Sequence, residues 1–273
     1  MSGRLARRLA AYDSLLIGFS GGVDSALLAV AARRVLGRDR MLAVLGVSPS
    51  LGAEQRAVAQ RIAEQFDLAF REVETHELDD PNYRANAPSR CYFCKETLWT
   101  RLGRLAREEG LAGMADGTIA DDLAEHRPGL AAAREHAVHA PLAEAGYTKA
   151  HVRRAARALG IPIWNAPAAP CLASRVRYGL EVTGLRLRQV AQGEDMLRAL
   201  GVTGDLRVRH HGNEARIEVR PDQAARVLAA RDEVATALLD AGFGRVTLDL
   251  DGYRRGGLLH DGTPRVTLLG ERA

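Results

Sequence analysis

The sequence predicts an α/β protein, an open parallel sheet followed by a second, smaller α+β domain. Three observations carry that expectation. In the first half, short apolar runs alternate with helical patterns, as βαβ units do. A polar, Gly-rich run, Ser20-Gly21-Gly22-Val23-Asp24-Ser25, directly follows the apolar stretch Leu15-Leu16-Ile17-Gly18-Phe19. Beyond a segment interrupted by Pro162, Pro167 and Pro170, the order changes to helix, strand, strand, helix, strand.

Taken in order, strands are expected at residues 14–19, 41–47, 69–73 and 111–117. Helices are expected at 25–36, stopped by Gly37, at 53–66 and at 94–109. Such a sheet, covered on both faces, binds ligands at the carboxyl ends of its strands, and residues 20–25 lie at one such end. A further helix is expected at 148–159, with Thr148 as N-cap and Gly160 closing it. The prolines of 161–170 make that segment extended, and it reads as the boundary between domains 1–165 and 166–273 that delivers Cys171 to their junction. The smaller domain is expected to hold a helix at 184–200, strands at 206–210 and 215–220, a helix at 221–239 and a strand at 245–250.

A chain of 273 residues is long enough for a large and a small domain. No stretch approaches the ~20 apolar residues of a membrane span, and the N-terminus carries no convincing secretory signal. A soluble, cytoplasmic protein without a membrane partner is expected. The net charge is +4, but only Lys95 and Lys149 are lysines, and no basic block with interleaved aromatics occurs. A mildly basic balance of this kind fits an anionic small substrate, and no nucleic-acid partner is expected.

The run at 20–25 has the chemistry of a phosphate cradle for ATP. Gly21 and Gly22 let an oligophosphate approach the backbone, and the helix that follows offers unpaired N–H groups at its positive end. Ser20 and Ser25 add hydroxyl donors, and Asp24 can hold Mg²⁺. The run lacks the Gly-Lys-Ser/Thr ending of a P-loop and the GxGxxG spacing of a dinucleotide fold. It resembles instead the PP-loop of ATP pyrophosphatases, which attack the α-phosphate and release pyrophosphate. Asp116-Gly117-Thr118 closes a strand at the same sheet edge, within reach of the phosphates or Mg²⁺, or else with Asp116 capping the turn that follows.

Three cysteines are too few for a disulfide scaffold. Cys91 and Cys94 stand at metal-ligand spacing between Arg90 and Lys95, whose charge favours thiolate. Cys171 precedes Leu172-Ala173-Ser174-Arg175, a thiol beside an anion-binding Ser and Arg. Three thiolates suit a 4Fe-4S cluster with one iron lacking a protein ligand, or a zinc site completed by a fourth ligand. Arg207 and Arg209 share one face of a strand, as do Arg216 and Glu218 in the next, so facing strands present guanidinium groups suited to phosphate and carboxylate, or form a solvated, salt-bridged face.

With Arg90-Cys91-Tyr92-Phe93-Cys94-Lys95, Ala120-Asp121-Asp122, Arg127-Pro128-Gly129, Ala215-Arg216-Ile217-Glu218-Val219 and the segment from Leu248 to Arg254 in the same order, the chain resembles LarE-type ATP-dependent sulfur transferases over almost its whole length. The resemblance implies a substrate, pyridinium-3,5-biscarboxylic acid mononucleotide, whose carboxylate is adenylated and converted to thiocarboxylate on the way to a nickel-pincer cofactor. It implies ATP and Mg²⁺ at Ser20, Gly21, Gly22, Asp24, Ser25, Asp116, Gly117 and Thr118. It implies substrate binding by Arg207, Arg209 and Glu218, with Ser174 and Arg175, and sulfur chemistry at Cys171. Members with one cysteine sacrifice its sulfur and are left with dehydroalanine, whereas three cysteines imply a 4Fe-4S cluster on Cys91, Cys94 and Cys171. Similar proteins form homo-oligomers, hexamers among them. The chain departs from the family at Ile119, usually Asn, and at His139-Ala140, usually Arg-Ser.

Overall fold

A computed structural model describes residues 2–124, 128–167 and 169–254, so Arg127 of the sequence motifs lies outside the described residues. The described chain divides into two compact units, residues 2–174 with 179–188, and residues 175–178 with 189–254. The first unit thus extends past residue 165 and includes Cys171. Among the described residues no helix is long and apolar enough to cross a membrane.

The first unit is built on four parallel strands in the order β3-β2-β1-β4: β1 (Leu15–Gly18), β2 (Met41–Val47), β3 (Phe70–Glu74) and β4 (Gly113–Ala115). Side chains alternate across β1, and this alternation divides the core. Leu15 and Ile17 join one cluster with α1 (Gly3–Ala10) and α2 (Val23–Leu36), while Leu16 joins another with Trp99, Leu102 and Leu105. Gly18 makes room for the second layer, since a Cβ there would stand 2.7 Å from the Trp99 ring. Helix α2 is buried on nearly every side because its run of alanines lets neighbours approach closely, and full burial of Leu27 and Leu28 contributes about 2 kcal/mol each.

Helix α3 (Ala53–Gln65) links β2 to β3, after which α4 (Pro81–Arg84) leads into α5 (Arg90–Glu108). The expected helix at 94–109 therefore starts four residues earlier, which lifts Cys91 out of a loop and onto the first turn of α5. Past β4 come α6 (Ala120–Leu123), α7 (Pro128–Glu135), α8 (Pro141–Glu144) and α9 (Lys149–Ala158). Thr148 caps α9 as expected, accepting from the His151 N–H, and Gly160 follows the helix with φ +75°. The strand β4 is shorter than the expected 111–117.

Helix α10 (Gly184–Ala199) runs through the division at residues 188/189. In the second unit β5 (Leu206–His210) pairs antiparallel with β6 (Glu214–Val219), which pairs parallel with β7 (Arg245–Leu248). The cross-strand pairs Leu206/Val219 and Val208/Ile217 face a core completed by Val234, Leu238 and Phe243. The intervening pairs, Arg207/Glu218 and Arg209/Arg216, take the opposite face. The expected helix at 221–239 is broken at Ala230 into α11 (Ala224–Ala229) and α12 (Arg231–Asp240), and Val227 and Val234 from the two pieces both reach the core. Gly193 allows α10 to approach this core, because a Cβ there would stand 2.7 Å from Leu238.

Candidate active site

Two of the four parallel strands, β1 and β4, run directly into candidate residues. After β1 the turn folds tightly on itself: Ser20 Oγ lies 3.1 Å from Ser25 Oγ, Ser25 Oγ donates to the Gly22 carbonyl at 3.0 Å, and the Ser20 N–H donates to Ser25 Oγ at 3.2 Å. Gly21 has φ +74°, and a Cβ there would meet Ala59 and the Gln55 carbonyl of α3 at 3.0 and 3.1 Å. Gly22 is the N-cap of α2 and supplies no side-chain cap, so the first-turn N–H groups are left for an anion. The loop after β4 closes against this turn through Gly117, where a Cβ would stand 2.7 Å from the Ser25 nitrogen. Asp116 Oδ1 accepts from the Thr118 N–H at 2.9 Å, so one of its oxygens is used as a turn cap. At the carboxyl end of β2, a hollow of about 370 Å³ is lined by Val47, Ser48, Leu51, Arg56, Ala57 and Gln60.

Asp24 carries the feature least expected from the sequence. Its Oδ2 accepts from Lys149 Nζ at 2.7 Å, while its Oδ1 is buried with no hydrogen-bond partner. A hard cation with oxygen ligands fits that orphaned oxygen, and Asp24 is therefore suited to hold Mg²⁺. Lys149 had no place in the motif at 20–25. Its scarcity, as one of two lysines, was the available signal.

The departures from the family pattern lie next to the Asp116 turn. Ile119 is packed into the core, and its N–H is held by the Asp122 carboxylate at 3.1 Å. The His139 ring lies 5.0 Å from that of Tyr12, and its carbonyl accepts from the Asp116 N–H at 3.0 Å.

The loops after β2 and β3 assemble a corner around the cysteines. Cys91 and Cys94 stand three residues apart on the first turn of α5 and so share a face. The Cys171 segment is held against them by buried bonds. Leu172 N–H donates to the Ser50 carbonyl at 2.8 Å, and Arg90 donates to the Ala173 carbonyl at 2.9 Å and to the Asn86 side chain. Asn86, itself at φ +53°, donates to the Leu180 carbonyl at 2.9 Å. Ser174 Oγ donates to the Cys171 carbonyl at 2.7 Å.

For Cys94 the electrostatics of this corner run against the expectation of a thiolate. Burial pushes the Cys94 thiol up to about 12, with Cys171, Glu77 and Cys91 adding to it and only Lys95 opposing. Arg90 is spent on Asn86 and Ala173, and Glu77, which the sequence did not single out, is a buried carboxylate bonded by Thr75. The Tyr83 hydroxyl, bonded to Ser50 Oγ at 2.5 Å, is raised by burial and then by Cys171. Among the described residues no three His, Cys, Asp or Glu side chains stand ready to hold a metal ion. The donor chemistry of three neighbouring thiols nevertheless suits a thiophilic centre: their mutual repulsion as thiolates is what a bound cation relieves.

In the second unit the arginines are buried instead of solvated. Arg209 donates through Nε and Nη2 to Glu218 Oε2 at 3.0 and 2.8 Å. Arg175 makes a bidentate pair with Glu194 at 2.8 and 2.9 Å, and Glu194 also accepts from the Val208 N–H on the open edge of β5. Arg207 differs from both. It is 5% exposed, sits 4.8 Å over the Tyr253 ring, donates to the Leu206 carbonyl, and has no carboxylate at ion-pair distance among the described residues. Burial lowers its pKa, and the charge of Arg175 adds to the effect.

A family model described as NAD synthase matches residues 6–102. The uncharacterized protein slr1717 of Synechocystis sp. is 43% identical over 90% of this chain and 92% of its own. The pyridinium-3,5-bisthiocarboxylic acid mononucleotide synthase of Lactiplantibacillus plantarum is 35% identical over 92% of this chain and 91% of its own. The uncharacterized protein MJ0830 of Methanocaldococcus jannaschii is 28% identical over 88% and 90%. The chain belongs to the family of this synthase, the LarE-type ATP-dependent sulfur transferases, with a PP-loop domain related to NAD synthase.

Proposed function

We propose that the chain adenylates a carboxylate of pyridinium-3,5-biscarboxylic acid mononucleotide and replaces one of its oxygens with sulfur, in keeping with the name of the Lactiplantibacillus plantarum relative. The observation that carries the reading is the convergence, at the carboxyl edge of one parallel sheet, of a phosphate turn bearing an orphaned carboxylate oxygen and a corner holding three thiols. The phosphates of ATP rest on Ser20, Gly21, Gly22 and Ser25, with the loop at Asp116, Gly117 and Thr118 alongside and the nucleoside in the hollow beside Val47. Asp24 would hold Mg²⁺, which supplies charge neutralisation for the departing pyrophosphate.

A substrate carboxylate attacks the α-phosphorus, and the bond to the bridging oxygen of pyrophosphate breaks, leaving an acyl adenylate. A sulfur nucleophile then adds to the carboxyl carbon and AMP departs with the oxygen, giving the thiocarboxylate. Arg207 is the counter-ion available to the anionic substrate, and Arg209 is held beside it by Glu218. Arg175 and Ser174, on the turn that follows Cys171, complete the anion-binding and sulfur-transfer set.

Cys91, Cys94 and Cys171 would hold a 4Fe-4S cluster, which supplies a transferable sulfide while leaving the protein intact. Cys171 itself is the rival sulfur source. Its thiol would bond the acyl carbon, and loss of the Cα proton with cleavage of the Cβ–S bond would leave dehydroalanine. Three cysteines outside any disulfide fit a reducing, cytoplasmic setting, and a homo-oligomeric assembly accompanies this reading.

Anaerobic reconstitution followed by iron and sulfide analysis tests the source. About four of each per chain and an intact Cys171 after turnover are expected. An iron-free protein whose Cys171 becomes dehydroalanine would overturn the cluster, and ATP/pyrophosphate exchange that requires tRNA and ignores the pyridinium substrate would overturn the substrate class.

A further inference from the structure

Asp24 and Lys149 form the one charged contact within the phosphate turn among the described residues, and its geometry is unbalanced. One carboxylate oxygen is bonded to the ammonium, whereas the other is buried and unpartnered. A dry, unpaired carboxylate oxygen is costly, so the site is poised for a second cation. The existing pair is a weak competitor, because both side chains are about one-third exposed, at 36% and 28%, and such pairs contribute little.

Lys149 is also rooted in a way that leaves only its side chain free to move. It is the first residue of α9, where Thr148 caps the helix, and its own N–H donates to Asp121 Oδ2 at 2.8 Å. The turn at 20–25 contains no lysine of its own, and the other lysine of the chain, Lys95, lies over the Trp99 ring. Asp24 is the second residue of α2, so an ammonium displaced from it remains next to the uncapped N-terminus where an anion would sit.

We propose that Lys149 is a tethered counter-ion: it holds Asp24 in the nucleotide-free protein, yields Asp24 to a divalent cation, and then turns its ammonium to the nucleotide phosphates. The inference rests on the reading of this turn as an ATP site. Two cations competing for one carboxylate repel each other, and the arriving polyphosphate gives the displaced ammonium a stronger partner than a single carboxylate. One residue thereby opposes metal binding before nucleotide arrives and favours the metal-nucleotide complex afterwards.

That reversal of sign separates the proposal from a structural role. Binding of Mn²⁺ alone, followed by electron paramagnetic resonance, and of Mn²⁺ with α,β-methylene-ATP, followed by calorimetry, would be compared in wild type, Lys149→Met and Lys149→Arg, with thermal melting to confirm folding. In Lys149→Met, affinity for Mn²⁺ alone is expected to rise roughly three- to tenfold, and affinity for the metal-nucleotide complex to fall roughly tenfold or more. Lys149→Arg should recover part of the nucleotide affinity while keeping Mn²⁺ binding weak. Parallel loss of both affinities, or unchanged Mn²⁺ binding in Lys149→Met, would overturn the exchange even if wild type binds the nucleotide normally. A folded wild type that binds no nucleotide would instead remove the ATP reading itself, and this proposal with it.

Discussion

The Gly-rich turn at 20–25 and the arginine face of the second unit distribute charge in opposite ways. The turn is nearly devoid of charge: glycine backbone, two serine hydroxyls, helix N–H groups and one carboxylate left half-satisfied. The arginine face is densely charged, but Arg209 and Arg175 are already neutralised by Glu218 and Glu194, and only Arg207 lacks such a partner among the described residues. A backbone cradle needs little desolvation of side chains and accepts a metal-bound polyphosphate. Buried ion pairs hold guanidinium groups rigidly, at the risk of instability if one partner is removed. Affinity is thus separable from stability in the first region and entangled with it in the second.

The largest expected effect tests the first half of that comparison. Asp24→Asn keeps the shape of the turn but removes the charge proposed to hold Mg²⁺, and ATP/pyrophosphate exchange is expected to fall about 10²- to 10³-fold with the melting temperature little changed. A stability loss comparable to that of the arginine face would break the comparison. In the second region Glu218→Gln removes the carboxylate charge paired with the buried Arg209, costing about 3 kcal/mol in urea unfolding. Arg207→Met, in contrast, is expected to spare stability and nucleotide binding and to weaken substrate binding about tenfold or more. Equal loss of ATP and substrate affinity in that variant would remove Arg207 from the substrate site.

The smallest effect concerns Cys94. Because its folded pKa is raised, the fold favours the protonated thiol. Its contribution is present below about pH 8.5, the ordinary thiol value, and is lost as pH rises toward about 12. Urea unfolding of metal-free protein between pH 8 and 10.5 should therefore show a steeper fall for wild type than for Cys94→Ala. Identical slopes would mean that the Cys94 thiol is not held in a dry environment.

Much of the first unit was legible because its signals are local. The apolar run 41–47 became β2 without change, and Thr148 and Gly160 bounded α9 as their capping chemistry requires. The alternation of Arg207 and Arg209 with Val208 correctly put both guanidinium groups on one face. Short helices such as α4, α6 and α8 were not legible, since four residues carry no periodicity. The early start of α5 was missed for a related reason: Arg90 is held by Asn86 and by the Ala173 carbonyl, a partner 83 residues away.

By itself, the sequence determined the α/β class, the family and the tight glycine-serine turn after β1, because backbone freedom, hydroxyl donors and thiols are properties of residue type and spacing. Tertiary structure alone decided which groups share a dielectric and a field. It buried Cys94 beside Cys171 and Glu77 and so raised the pKa of a thiol that the neighbouring Lys95 alone would lower. It satisfied Arg209 and left Arg207 without a carboxylate among the described residues. It brought Lys149, 125 positions along the chain, to one oxygen of Asp24 and left the other bare. Charge acts through space and burial, and neither distance is written in the order of the residues.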